Sequence, residues 1–116
     1  MISGIFSVTF ASNQNVGGYG VAVFSGNAVH GGDASHYYRG KYKLDERNLI
    51  SGTIEVVKYS TLHNSVFGPL DNFKLILNGQ VIVNDKEFEL SGPVEGHPEF
   101  LIRIALKKVD ELIEHD

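Results

Sequence analysis

Residues 30–59 read HGGDASHYYRGKYKLDERNLISGTIEVVKY, and the fold is decided there. From residue 36 to 43, Tyr38, Gly40 and Tyr42 fall on one face of an extended chain and Tyr37, Arg39 and Lys41 on the other. From residue 49 to 59, Ile50, Ile54 and Val56 oppose Ser51, Thr53 and Glu55. A period of two marks strands with one buried face. The polar run Leu44, Asp45, Glu46, Arg47, Asn48 turns the chain back between them, and Gly31, Gly32 and Asp33 break it just before. Gly52 sits where a bulge or a close backbone approach is tolerated. Two adjacent antiparallel strands of this kind set an all-β reading.

The same alternation extends in both directions. Gly4, Phe6, Val8 and Phe10 share a face opposite Ser3, Ser7 and Thr9, giving a first strand. After a polar, glycine-rich connection, residues 19–24 form a second strand, Ser25, Gly26 and Asn27 a tight turn, and residues 28–30 a short third. Residues 60–72 make the longest irregular connection, in which Leu62, Val66, Phe67 and Leu70 lie among the turn formers Gly68, Pro69 and Asp71. Phe73, Leu75 and Leu77 against Lys74 and Asn78 predict a sixth strand. Asn78 and Gly79 then predict a turn into a seventh at residues 81–84, and Phe88 with Leu90 against Glu87 and Glu89 predicts an eighth.

Beyond Pro98 two periods compete. Phe100, Ile102, Ile104 and Leu106 alternate with Arg103, Ala105 and Lys107 as in a strand. Leu101, Ile102, Ala105, Leu106, Val109, Leu112 and Ile113 also fit one face of a helix. The expectation is a strand to about Lys107, because an open sheet edge needs closing, followed by a short helical tail from Val109. The whole chain, residues 1–116, reads as one domain. Its predicted fold is a single eight- to nine-stranded antiparallel up-and-down barrel, whose thirteen glycines suit the strong coiling of a small barrel. An interior of that size is either filled by side chains or leaves room for one small ligand, and alternation does not decide which.

Composition narrows the function classes. With 14 acidic against 10 basic side chains and no basic run, the chain's field repels phosphate backbones, so no direct nucleic-acid partner is expected. The absence of cysteine rules out disulfides and thiolate metal sites and suits a reducing cytoplasm. The opening MISGIFSVTFAS has no basic n-region and reads as a strand, not a signal peptide. No run approaches the roughly 20 apolar residues of a membrane-crossing helix, so no membrane role is expected.

No set of reactive side chains calls for catalysis. His30, Asp33 and His36 recur every three residues but straddle a Gly-Gly turn. Asp33 is read as a turn residue whose carboxylate accepts backbone N–H bonds, and neither a metal nor another cofactor is expected. There is no G-x-S-x-G elbow to activate a serine. Gly17, Gly18 and Gly20 do not join a strand to a helix, so they form no anion cradle. Tyr37, Tyr38 and Tyr42 are candidates to line a ligand cavity through their hydroxyls, Tyr38 and Tyr42 being the ligand contacts of the carrier reading, although aromatic positions on strands more often serve packing. Asp110, Glu111, Glu114 and Asp116 make a solvated acidic end.

The run GGDASHYYRG at residues 31–40, followed by a hairpin and GTIEVVKYS, resembles the GrlR-like family of small bacterial regulators, named for a negative regulator of type III secretion. SVFGPLDNFKLILNG at residues 65–79 and the Gly, Pro and alternating strand at residues 96–107 are similar to recurrent segments of its relatives. The resemblance implies a calycin-like, lipocalin-like barrel that forms a homodimer in the bacterial cytoplasm and acts by protein binding, without catalysis. Its implied partner is a transcriptional activator, held in the family through an exposed acidic Glu-Asp-Glu-Asp loop. Here the equivalent turn keeps only Asp45 and Glu46 as acids, opposed by Arg47, which weakens steering of a basic partner. Asp45 and Glu46, with Val66 and Phe67 as exposed apolar residues of the long loop, are the partner-binding candidates. The alternative is a carrier of an apolar or aromatic small molecule, with Tyr38 and Tyr42 at the ligand.

Overall fold

A computed structural model describes residues 1–61, 64–68 and 70–114. Its eight strands are β1 (Gly4–Ser12), β2 (Gly17–Ser25), β3 (Ala28–Gly32), β4 (His36–Leu44), β5 (Leu49–Lys58), β6 (Asn72–Val83), β7 (Glu87–Val94) and β8 (His97–Asp110). Each pairs antiparallel with the next, and β8 returns to β1, so the sheet closes on itself as a barrel. Alternation fixes which side is inside. Phe6 and Val8 of β1, Ile50 and Val56 of β5, and Leu75 and Leu77 of β6 are buried, while Thr9, Lys41, Thr53, Lys74 and Lys107 face outward. This polar-out, apolar-in arrangement is the reverse of a lipid-facing barrel. Among the described residues no helix is long and apolar enough to cross a membrane.

Three expectations are corrected. Asn78 and Gly79 do not turn the chain; they lie within β6, which replaces the expected sixth and seventh strands and leaves eight in all. Gly79 serves close approach instead, since a Cβ there would stand 1.8 Å from the Glu89 carbonyl oxygen of β7. The third strand runs through Gly31 and Gly32, which pair with both neighbours.

The third correction concerns the C-terminal tail. β8 continues through Asp110 and residues 111–114 form no helix, so the short helical tail from Val109 is not seen among the described residues. The physical reason is closure. β8 has β7 on one side and β1 on the other, pairing with both from Ile102 to Lys107 and with β1 as far as Asp110. Leu101, which the helical reading would bury, is 47% exposed. Of the loop and tail residues singled out in the sequence, Leu62, Pro69 and Asp116 lie outside the described residues.

The interior divides into two clusters. One, at the end carrying the β2–β3, β4–β5 and β6–β7 turns, gathers Ile2, Phe6, Phe24, Tyr42, Phe88 and Leu106. The other, at the opposite end, gathers Val56, Val66, Phe67, Leu75, Val94 and Ile102. Phe10, Ile54, Leu90 and Ile104 pack against both and form a waist between them.

Candidate functional site: the barrel cavity

The first end is shut by the chain's own N-terminus. Ile2 is 1% exposed, and the Tyr42 hydroxyl accepts a hydrogen bond from its backbone N–H at 2.7 Å while lying 2.9 Å from the Gly26 carbonyl oxygen that it can donate to. Burial raises the Tyr42 phenol above its ordinary range, with the Ile2 bond opposing. Phe6, Phe24 and Phe88 pack beneath, with Phe6 to Phe24 centroids 5.1 Å apart and Phe6 to Phe88 centroids 5.4 Å apart. Tyr42 therefore serves as a clamp whose hydroxyl is already engaged, and only its ring reaches the space above.

That space is a cavity of about 840 Å³ running through the waist to the other end. It falls within the roughly 300–1,000 Å³ typical of small-molecule sites. Its walls are mainly apolar: Val8, Phe10, Ile54, Leu90, Ile104 and their neighbours. The mouth includes Gln14, Val16, Tyr19, Ala34 and Asn64. The opening follows from strand length. β3 has only five residues and pairs with β2 from Val21 to Ser25, leaving residues 17–20 of β2 without a β3 partner beside the β3–β4 turn. Gly20 keeps that wall thin, because a Cβ there would lie 2.9 Å from the Tyr38 hydroxyl oxygen.

Part of the mouth is covered by the long loop. The Ser12 hydroxyl donates to the Val66 carbonyl at 2.7 Å, and the Phe67 ring packs against Phe73 at 5.4 Å and Phe100 at 5.3 Å. Val66 is 8% exposed and Phe67 2%, so the expected exposed apolar pair of this loop is instead folded into the barrel end. A loop carrying several large apolar groups buries them where an unfilled barrel end offers apolar surface.

The polar groups of the cavity gather at the mouth. Asp33 Oδ1 accepts the backbone N–H of Ser35 and of His36, each at 2.9 Å, which is the turn role read from the sequence, and Oδ2 accepts the Tyr38 hydroxyl. Burial, and then this bond, hold the Tyr38 phenol far above its ordinary range. His36 is 4% exposed and its Nδ1 stands 3.7 Å from Asp33 Oδ1. Desolvation lowers its pKa below the usual imidazole value despite the nearby Asp33. Its Nε2 has no hydrogen-bond partner among the described residues.

Of the sequence candidates, Tyr38 and Tyr42 both line the cavity but at opposite ends, and Val66 and Phe67 line it from the loop. Asp45 and Glu46 sit apart from it, exposed on the β4–β5 turn. There Asp45 Oδ1 accepts the backbone N–H of Arg47 at 2.8 Å and of Leu49 at 3.0 Å. Asp45 thus has a turn-forming role, whereas Glu46 is exposed and makes no such bond among the described residues. His30 is exposed on the outer face while His36 points inward, so the two imidazoles do not converge; among the described residues no group of three or more acids and imidazoles is placed to hold a metal ion. Sequence reading missed Asp33 and His36 as cavity residues. The signal was available for His36, which shares the parity of Tyr38 and Tyr42.

No protein-family model and no curated protein matches the chain. Among solved structures it is similar to a redesigned beta barrel, with a TM-score of 0.71 at 14% identity over 94% of this chain and 92% of that one. At that identity the likeness is one of fold, and it places the chain among closed antiparallel β-barrels.

Proposed function

We propose that this protein is a non-enzymatic binding protein whose barrel holds a small, mainly apolar molecule. The observation that carries this reading is the cavity of about 840 Å³, shut at one end and open at the other. Transfer of apolar surface from water into such a site is favourable by about 25 cal/mol per Å². The test uses Nile red, a neutral apolar fluorophore. Saturable emission at one molecule per barrel is expected with the native protein, and Ile54→Trp, which fills the waist, is expected to abolish it while the thermal transition survives. No saturable emission from the native barrel, or undiminished emission from the folded filled variant, overturns the reading.

A second reading is regulation by protein contact, as a cytoplasmic homodimer restraining a transcriptional activator of type III secretion. It is supported by the resemblance of residues 31–60 to GrlR-like regulators and by the position of the Asp45–Asn48 turn, every residue of which is exposed at the shut end. Glu46→Ala should weaken capture of a candidate activator without changing the thermal transition. Unchanged capture removes this turn as the contact.

A further inference from the structure

Asp33 is the one charged side chain among the described residues that line the cavity, apart from any charge on His36. Its carboxylate is well held, by two backbone N–H groups and the Tyr38 hydroxyl, yet these donors are neutral. The ionisable group placed to pair with it is the His36 imidazole, 3.7 Å away and buried. The nearby ammonium of Lys58 stands 3.2 Å from Asp71 and is paired there. The Asp33 side chain retains 16% exposure, so it is reachable from solvent at the mouth. Three donors leave about one of the roughly four acceptor positions of a carboxylate open. Tyr19 stands beside the same opening, 81% exposed, and offers an aromatic face to a cation.

We propose that the cavity selects an apolar molecule bearing a protonated amine, with its hydrocarbon body in the barrel and its ammonium at the mouth against Asp33. Charge complementarity disfavours the carboxylate-headed counterpart of the same chain length, which would bring two like charges together at a partly desolvated site. The proposal rests on the ligand-binding reading above and adds the chemistry of the head group.

The test compares octylamine, 1-octanol and octanoate as displacers of Nile red, each below its micelle-forming concentration, from the native protein and from Asp33→Asn. That variant keeps an amide oxygen for the Ser35 and His36 N–H groups and an amide N–H to meet Tyr38, while removing the charge. The native barrel should release the fluorophore at about tenfold lower octylamine than octanoate, equivalent to about 1.4 kcal/mol, with octanol between. In Asp33→Asn the gap should shrink to about threefold or less. Octanoate displacing as well as octylamine, or a gap unchanged in Asp33→Asn, overturns the amine assignment and leaves the cavity reading standing. Failure of Nile red to bind the native barrel overturns both. A thermal transition of Asp33→Asn within a few degrees of the native one shows that the turn is intact. Should that variant not fold, Asp33→Ser, which also removes the charge and keeps a hydroxyl oxygen able to accept the turn N–H bonds, is read by the same criterion.

Discussion

The two ends of this barrel are built from similar residues and differ in what those residues do. At the shut end, Tyr42 ties down the backbone of Ile2, and three phenylalanines fill the space beneath. At the open end, Tyr38 lies beside an aspartate, and one phenylalanine enters from a loop. The tyrosines occupy equivalent positions of one strand, four residues apart on the same face. One has a hydroxyl engaged by main chain and the other a hydroxyl engaged by a carboxylate at a cavity mouth. The lesson is that one residue type on one strand face serves closure at one end of the barrel, while at the other it stands at the cavity mouth that the binding proposal above invokes.

The sharpest way to break this contrast is truncation of a ring at each end. Phe6→Ala, at a site with 0% exposure, should cost about 3–5 kcal/mol in urea unfolding. Phe67→Ala should cost less, about 2–3 kcal/mol, because its loop can collapse onto the vacated site, and it should speed Nile red uptake in stopped-flow measurement. Equal costs would show that the loop is as much a part of the core as β1. Next in size is Tyr42→Phe, which leaves the buried Ile2 N–H without its acceptor and should cost about 1–3 kcal/mol, with Nile red affinity retained. A lost affinity would place the Tyr42 hydroxyl at the ligand after all. Asp45→Ala should cost about 0.5–1.5 kcal/mol through its two turn bonds, and Glu46→Ala less than about 0.5 kcal/mol.

The pH dependence sharpens the view of the open end. His36 has a folded pKa below the unfolded value, so the unfolded chain binds the proton more readily, and the contribution of neutral His36 is full above the unfolded pKa near 6.5. It is lost as pH falls below that value toward the folded one. Urea midpoints of the native protein should therefore drop more between about pH 7.5 and pH 5.5 than those of His36→Leu. Parallel profiles would mean that the imidazole is solvated in the folded state.

Much of the fold was legible because a strand's side chains alternate regardless of what they meet. Phe6, Val8, Tyr42, Ile50, Val56 and Leu106 were placed inside by parity alone and are buried. The site was only half legible. Parity put Tyr38 inward and turn chemistry gave Asp33 its backbone bonds, but neither showed that the two meet across five residues at a mouth. Asn78 and Gly79 misled because the dipeptide that favours a hairpin turn also suits a strand where two backbones come close, and sequence does not carry that distance. Val66 and Phe67 misled because a loop's apolar residues record that something will be covered, not whether it is another molecule or the chain's own barrel end.

The sequence by itself determined the period, the antiparallel order of neighbouring strands and the separation of a polar exterior from an apolar interior, since each follows from local geometry and from the cost of leaving apolar surface in water. The tertiary structure alone decided that the interior is not filled, that Ile2 seals one end, and that Asp33 is the one carboxylate among the described residues lining the other. Those depend on strand number, on the short β3 and on where Val66 and Phe67 come to rest. They are set by distances between residues far apart in the chain, which no local pattern encodes.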